Sequence, residues 1–320
     1  MPGKGEFGRI RDYLAPLAMA GAFDLTDDAA TIKPKLGHEL VITTDTVVEG
    51  VHYIGDETPE QIAAKLLRVN LSDLAAMGAE PHAYTLNLTL PADTPDTWIK
   101  AFCQGLADQQ TKFGIGLLGG DSVSSPGPAT LSATLFGEVP VGQALRRKGA
   151  FPGDYIYVSG AIGDGALGLM AAKGALAMLS DADVTMLIER YRMPEPRIEL
   201  GMALRGNATA GADISDGLLA DIGHIADVSN VGAIVEFAKV PLSSAGEAAL
   251  VAEPTLWKNI VTGGDDYELV FTGAENLGET IKSSGVPITC IGRIVAGDGV
   301  RLLDAQEKPL HVEASGYRHG

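Results

Sequence analysis

The sequence predicts an α/β or α+β protein built in two parts, and three observations support this. The chain has 320 residues, roughly twice the length of a common domain. Strand-like and helix-like residue patterns alternate along it. The alternation breaks between Val139 and Asp154, where proline, glycine and basic residues take over. We therefore expect one domain over residues 1–140 and a second over residues 150–320.

The first half alternates strands with helices. A strand is predicted over residues 39–44, which are apolar and rich in β-branched side chains, and we expect it to end at Asp45. Thr58, a following proline and Gln61 are typical of a capped helix start, and Gly78 is a natural stop for that helix. The other predicted elements are a strand over 83–90, a helix over 96–113, and strands over 115–118 and 130–139.

The second half continues in the same manner. The predicted elements are a strand over 155–159, helices over 166–179 and 218–228, and strands over 233–237, 269–272 and 288–291. Residues 163–168 also match the pattern G-x-G-x-x-G between a strand and a helix. A dinucleotide site needs an acidic residue at the end of the next strand, but Asp181 and Asp183 fall where the sequence is helix-like. We therefore favour glycines that pack a helix against a strand.

The composition limits the possible partners. Lys and Arg number 24 and Asp and Glu 41, which gives a formal net charge of −17. Such an acidic surface repels phosphate backbones and anionic lipids, so we expect neither nucleic acid nor a membrane as partner. The amino terminus lacks the apolar stretch of a signal peptide, which predicts a cytoplasmic location. Cys103 and Cys290 lack metal-ligand spacing and are expected to be reduced core residues.

Aspartates recur at predicted strand ends and turns, and each alone could be a helix cap or a turn former. Some settings favour binding: Asp73 lies in a helix-like stretch, and Asp213 and Asp216 flank Ser215 just before a helix. Two carboxylates 4 Å apart repel by about 4 kcal/mol at an effective dielectric constant of about 20, so a converged set needs protonation or a metal. Oxygen ligands favour Mg²⁺ or Mn²⁺.

Two basic side chains could complete such a site. Arg147 could bind phosphate through its forked guanidinium group. His52 could contact a substrate, although an isolated histidine more often has a structural role.

Several segments together identify a family. The most specific read T-T-D-T-V-V-E-G-V-H at 43–52 and V-N-L-S-D-L-A-A-M-G-A at 69–79. Shorter matching segments are 5–7, 27–29, 119–121, 152–154, 194–197, 213–218 and 264–269. In this order, and over nearly the whole chain, they resemble the thiamine-monophosphate kinases, a family of the aminoimidazole-ribonucleotide-synthetase-like superfamily.

The resemblance implies a fold, a reaction and a set of site residues. The fold is an N-terminal sheet domain that pairs with its twin in a homodimer, plus a C-terminal α/β domain that closes over the site. The reaction transfers a phosphoryl group from ATP, bound with several Mg²⁺ ions, to thiamine monophosphate. The implied magnesium ligands are Asp28, Thr43, Thr44, Asp45, Asp73, Asp121, Asp213 and Asp216. The implied ATP contacts are Gly120, Asp121, Arg147 and Ser215, and the implied substrate contacts are His52, Asp265 and Tyr317.

Three departures from the family pattern bear on substrate affinity. Thr26 replaces a glycine before the Asp-Asp pair, Asp265 replaces a glutamate, and Gly320 stands where the family tends to have an aromatic residue. Two alternatives stay open on the sequence. One is another ATP-using synthetase of the same superfamily, although Cys103 and Cys290 are misplaced for the reactive cysteines of its selenium- and hydrogenase-related members. The other is a non-catalytic Mg²⁺- or nucleotide-binding protein.

Overall fold

The computed structural model describes residues 8–277, 281, 285–312 and 316. The chain divides into two units. The first comprises the residues up to Leu74 together with Ala79–Gly142, and the second comprises Ala75–Gly78 and the residues from Gln143 onward. Within the described ranges, no helix has both the length and the apolar character needed to cross a membrane.

The first unit is built on a four-stranded sheet. Its strands follow the order β1-β4-β2-β3, with β2 and β3 parallel and the other neighbours antiparallel. Short turns of π- and 3₁₀-helix precede β1, at Ile10–Leu14, Ala15–Leu17 and Phe23–Leu25. The elements in chain order are β1 (His38–Val48), α1 (Pro59–Ala76), β2 (Glu80–Pro91), α2 (Asp96–Phe113), β3 (Gly116–Ser125) and β4 (Thr130–Pro140).

Helix α1 begins and ends as its sequence predicts. The hydroxyl of Thr58 accepts the N–H of Gln61 (3.3 Å), and the side-chain oxygen of Gln61 accepts the N–H of Thr58 (3.0 Å), which is a reciprocal capping box. At the other end Gly78 takes a φ of +69°, and the N–H of Ala79 donates to the carbonyl of Leu74 (2.8 Å).

Both helices of the first unit lie on one face of the sheet. Asp73 of α1 contacts β1 through Thr43, and Gln110 of α2 donates to the hydroxyl of Tyr84 on β2. Successive residues of β1 therefore differ in exposure: Val41 is buried on the helix side of the sheet, whereas Ile42 is 59% exposed on the other side. Thr43 and Asp45 share the helix side with Val41.

The second unit is built on a seven-stranded sheet of order β11-β10-β7-β9-β5-β8-β6. Within it, β10 and β7 are parallel and the other neighbours antiparallel. Its elements are β5 (Tyr155–Ser159), α3 (Asp164–Ala172), α4 (Asp181–Arg192), α5 (Ile198–Leu204), β6 (Ala210–Asp213), α6 (Leu218–Ser229), β7 (Gly232–Glu236), α7 (Ser244–Ala252), α8 (Trp257–Thr262), β8 (Leu269–Gly273), β9 (Ile288–Val295), β10 (Val300–Leu303) and β11 (Pro309–Leu310), with 3₁₀ turns at Phe237–Lys239 and Pro254–Leu256.

Apolar residues cover both faces of this second sheet. On β5, Ile156 and Val158 belong to one core cluster, while Tyr157 between them belongs to another. On β8, Val270 joins the first cluster and Phe271 the second. A short, nearly continuous apolar run is typical of a strand buried on both faces, and it is the pattern from which β5 and β8 were predictable.

Several predicted boundaries are wrong: β2 begins at Glu80 rather than at residue 83, β9 runs to Val295 rather than to residue 291, and three further differences have identifiable causes. Strand β1 does not end at Asp45 but continues to Val48, because the β-branched residues after Asp45 pair with the start of β4. Strand β3 does not end at Leu118 but runs to Ser125, so the Gly-Gly-Asp segment lies inside a strand. The helix predicted over 166–179 ends at Ala172, because Gly174 takes a φ of +76° and its N–H bonds back to Ala171.

Candidate functional site

The first group of site residues lies where β1 meets α1. The hydroxyl of Thr43 donates to Oδ2 of Asp73 at 2.5 Å. Asp45, two residues along the strand, shares a hydrogen bond with the carboxyl of Asp73. Burial, and then the charge of Asp73, raises the pKa of Asp45 to about 6. Two carboxyl groups and a hydroxyl therefore converge, as the resemblance implies for magnesium ligands.

Thr44 is the exception in this segment. Its side chain lies on the opposite face of β1, where the hydroxyl donates to the carbonyl of Ala133 (3.1 Å) and accepts from Thr134 (3.1 Å). Neighbouring strand residues point to opposite faces, so its hydroxyl cannot join those of Thr43 and the two aspartates.

The second group of candidate site residues in the first unit lines a cavity of about 330 Å³. Its wall is mixed in character: polar atoms contribute at least as much surface as apolar ones, and the apolar lining residues include Ile10, Leu14, Leu25, Leu86, Leu88, Leu117 and Leu118. Asp28, Gly120 and Asp121 line the same cavity. Gly120 cannot carry a side chain, because a Cβ there would meet the carbonyl oxygen of Leu86 at 1.8 Å.

Asp121 is not brought to the Asp45–Asp73 pair. Across the sheet, Asp45 pairs with Ala133, Ala133 with Leu86, and Leu86 with Gly120, next to Asp121. Strands β1 and β3 are the two outer strands of this sheet. Three strand spacings separate them, about 14 Å. Within one chain, these carboxylates therefore cannot ligate the same ion.

The loop before α6 carries the third group, in the second unit. Asp213 ends β6 and is buried, and Ser215 and Asp216 follow it. The fully buried Asp221 organises this loop: its Oδ2 accepts the N–H groups of Ser215 (3.1 Å), Asp216 (3.2 Å) and Gly217 (3.2 Å).

The neighbouring charges of Asp216 and Arg147 have opposite effects on the pKa of Asp221. Burial, followed by the charge of Asp216, raises the pKa of Asp221 to about 7, while the charge of Arg147 acts in the opposite direction. Arg147 is exposed, and its main-chain carbonyl accepts the hydroxyl of Ser229 (3.4 Å) at the end of α6. Asp216 and Arg147 therefore both lie close enough to Asp221 for their charges to change its pKa.

Asp221 and His224 are absent from the residues implied by the sequence. Asp216, Asp221 and His224 place one ligand atom each within 4.8 Å of one another. The available signal was an aspartate on the apolar face of a predicted helix with a histidine three residues later, since positions i and i+3 share a helix face.

The segment 264–269 contains one candidate substrate contact, Asp265, and two carboxyl groups with structural roles, those of Asp266 and Glu268. Asp265 has a φ of +69° and its Oδ1 accepts the hydroxyl of Tyr267 (3.3 Å). Its neighbour Asp266 is buried and accepts the N–H groups of Gly163 (2.8 Å) and Gly165 (2.9 Å). Burial raises the pKa of Asp266 to about 8.

Those bonds explain the G-x-G-x-x-G pattern. The amino terminus of α3, where a dinucleotide phosphate would bind, is occupied by the carboxylate of Asp266. A Cβ on Gly165 would meet the carbonyl oxygen of Asp265 at 2.2 Å, and one on Gly168 would meet that of Leu187 at 2.2 Å. The glycines do allow close packing, but against the loop before β8 and against helix α4, so the expected packing of a helix against a strand is wrong.

Glu268 joins two of the family segments. It is completely buried and accepts from Ser159 (2.6 Å), Arg190 (3.0 Å) and Arg197, whose Nε lies 2.7 Å from Oε2. Arg197 belongs to the segment 194–197 and Glu268 to the segment 264–269. The ion pair therefore anchors the strand β8 directly after the loop that carries Asp265.

His52 follows β1, and its orientation is defined. Its Nδ1 accepts the N–H of Val48 (3.1 Å), so the neutral ring carries its proton on Nε2. The carbonyl of His52 accepts the ammonium group of Lys65 (2.9 Å). Tyr317, the remaining implied substrate contact, lies outside the described residues.

Comparisons with known proteins identify the family of both halves of the chain. Residues 26–139 match the family model for the AIR synthase related protein N-terminal domain, and residues 152–305 match the model for the C-terminal domain. A thiamine-monophosphate kinase of Caulobacter vibrioides is 44% identical over 326 residues, covering 98% of this chain and 91% of that protein.

Solved structures of similar fold and sequence point to the same family. The crystal structure of thiamine-monophosphate kinase from Stenotrophomonas maltophilia has a TM-score of 0.81 and 42% identity, covering 92% of this chain and 94% of the other. AaThiL complexed with AMPPCP and TMP has a TM-score of 0.80 and 30% identity, covering 100% and 99% of the two chains. Both domain models and this identity over almost the whole length lead to one conclusion: the chain belongs to the thiamine-monophosphate kinase family.

Proposed function

We propose that this chain transfers the γ-phosphoryl group of ATP to thiamine monophosphate, giving thiamine diphosphate and ADP. The observation that carries the proposal is the convergence of Thr43, Asp45 and Asp73, whose carboxyl groups repel each other unless a cation or a proton is present. The relatives named above supply the substrate class. One of them holds a nucleotide analogue together with TMP.

The nucleotide fits the cavity of the first unit. The leucine side chains of its lining suit an adenine ring, and the aspartates of its lining suit a triphosphate that carries bound cations. In this arrangement, Gly120 contacts the nucleotide through its backbone, while Asp28 and Asp121 lie towards the phosphates. Ser215 and Arg147 are also assigned as ATP contacts, as the resemblance implies.

Magnesium suits the donors that are present. The proposed ligands offer carboxylate and hydroxyl oxygens, which are the ligands that Mg²⁺ prefers. Those ligands are Asp28, Thr43, Asp45, Asp73, Asp121, Asp213 and Asp216, with Thr44 restricted to its main-chain oxygen. Bound Mg²⁺ would supply charge neutralisation between two anionic phosphates.

The transfer needs little from the protein beyond positioning and electrostatics. A terminal oxygen of thiamine monophosphate attacks the γ-phosphorus, the new P–O bond forms, and the bond to the β-phosphate oxygen breaks to release ADP. The attacking oxygen is already anionic near neutral pH, so no general base is required. We place the Nε2–H of His52 as a donor to the substrate phosphate, and Asp265 and Tyr317 as further substrate contacts.

A homodimer completes the site in this proposal. Asp45 and Asp121 lie on opposite edges of one sheet, about 14 Å apart, yet the resemblance assigns both to magnesium. A second copy can bring its β3 edge to the β1 edge of the first. The exposed apolar side chains Ile42 (59%) and Val123 (48%) on these two strands are consistent with such a contact.

The substitution Asp45→Asn tests the proposed role of the carboxylate pair. It keeps the shape of the side chain but removes a charge that a cation needs, so kcat should fall about a hundredfold. Steady-state turnover of ATP with thiamine monophosphate measures this. Asp93→Asn removes an exposed carboxylate elsewhere in the first unit and should leave kcat unchanged. Near-normal turnover in Asp45→Asn would contradict the assignment.

A further inference from the structure

Three side chains at the start of α6 form a cluster that differs chemically from the other acidic groups. Asp216 lies in the loop before the helix, and Asp221 and His224 lie on one helix face because they are three residues apart. One ligand atom from each lies within 4.8 Å of the other two. Carboxylate and imidazole groups at this i, i+3 spacing are used by helical metal sites of other folds.

Asp221 provides an independent observation that a ligand belongs here. The side chain is 0% exposed. Its Oδ2 is already used by three N–H groups of the loop, whereas its Oδ1 is buried and has no hydrogen-bond partner among the described residues. A buried carboxylate oxygen without a partner is costly, and a cation held by its neighbours removes that cost.

The donor set determines which cation fits. Oxygen-only groups such as the Asp45–Asp73 pair suit Mg²⁺, but an imidazole nitrogen favours first-row transition metals. We propose that Asp216, Asp221 and His224 bind a divalent transition-metal ion, with Mn²⁺ as the representative, at a site of mixed oxygen and nitrogen ligands. It shares only Asp216 with the proposed magnesium ligands, so it goes beyond the proposed function rather than depending on it.

Pulsed electron paramagnetic resonance with Mn²⁺ alone tests this directly. The metal-free full-length protein is loaded with substoichiometric Mn²⁺ in the absence of ATP and thiamine monophosphate, and the ¹⁴N hyperfine coupling of a bound imidazole is recorded. The wild type should show the coupling. His224→Gln should lose it and bind Mn²⁺ at this site about tenfold or more weakly. His224 is exposed, so the substitution leaves the core untouched.

Two controls make the result specific. His311→Gln changes another exposed histidine and should retain the coupling, as should Asp45→Asn, which disrupts the oxygen-only group of the first unit. An absent ¹⁴N coupling in the wild type, or a coupling that survives in His224→Gln, overturns the inference. Neither result touches the proposed kinase reaction, which is measured separately by product formation with Mg²⁺ as the only metal.

Discussion

Among single residues, Asp45 illustrates how a candidate binding site conflicts with the stability of the fold. Its carboxyl group is partly buried beside that of Asp73, and its pKa is raised to about 6 by burial first and by the neighbouring charge second. A raised pKa means that the folded protein holds the proton more tightly than the unfolded chain. In the absence of a cation, the folded state is therefore stabilised at low pH and loses that stabilisation as the pH rises through 6.

This gives a prediction for the metal-free protein. Between pH 4 and pH 6, the free energy of unfolding of the wild type should fall relative to that of Asp45→Asn, by up to about 1.4 kcal/mol per pH unit. Urea unfolding in a chelating buffer, repeated at several pH values, measures the difference. Addition of Mg²⁺ should reduce the pH dependence of the wild type. Parallel curves for the two proteins would show that the Asp45–Asp73 pair does not destabilise the folded protein as the pH rises.

Residue identity alone indicated some candidate site residues and missed others. Asp45 and Asp73 were recognisable because two specific segments carry them, and their convergence follows from a strand and a helix that the sequence predicts. The orientation of Thr44 was not recognisable until the strand was known to continue past Asp45, which fixes the alternation of faces. Asp221 was missed because an aspartate in a helix carries no sign that it binds a preceding loop.

At the level of secondary-structure elements, two helices begin at glycine-containing loops that resemble phosphate-binding turns. In both cases an aspartate side chain of the same unit already accepts the N–H groups of the loop. Asp266 binds the amino-terminal N–H groups of α3, and Asp221 binds those before α6. Each carboxylate occupies the position that an anionic ligand would need. This arrangement favours recognition of phosphate through cations and arginine rather than through a helix amino terminus.

Buried Glu268 gives a prediction at this scale. Glu268→Gln leaves the guanidinium groups of Arg190 and Arg197 partly buried beside a neutral partner, so the free energy of unfolding should fall by about 3–5 kcal/mol. Glu236→Gln is the matched control, because its partner Lys239 is 52% exposed and the loss should stay below about 1 kcal/mol. Urea denaturation measures both; similar losses would mean that the buried pair does not anchor β8.

The elements themselves were predictable to different degrees. Periodic segments such as α2 and β5 have the predicted bounds, and α1 has the predicted caps. Strand β6 was missed because its four residues, Ala-Gly-Ala-Asp, lack the β-branched side chains that mark strands. The sequence also failed to indicate the short elements α5, α7, α8, β10 and β11, since so few residues contain too little periodicity.

At the scale of the whole molecule, the position of Asp121 leads to a prediction about two copies. Co-expressed chains with different tags yield a mixed dimer of Asp45→Asn with Asp121→Asn. If Asp45 of one chain works with Asp121 of its partner, one of the two sites is intact and the dimer should have about half the wild-type turnover. If both residues serve one site within a chain, both sites are damaged.

The reciprocal mixed dimer reverses the expectation. One chain carries both substitutions and the other carries none. If the sites are shared between copies, each of the two sites then carries one substitution and the dimer should be nearly inactive, whereas a site contained in one chain stays intact in the unmodified copy. An active reciprocal dimer together with an inactive first one would contradict the shared site, without affecting the proposed reaction.

Analysis of the reaction products tests the proposed phosphoryl transfer. The purified protein is mixed with Mg·ATP and thiamine monophosphate, and the thiamine and adenine compounds are separated by chromatography. We expect thiamine diphosphate and ADP in equal amounts, with formation strongly reduced in Asp45→Asn and unchanged in Asp93→Asn. ADP without thiamine diphosphate, or consumption of neither substrate by a folded protein that binds ATP, would contradict the account.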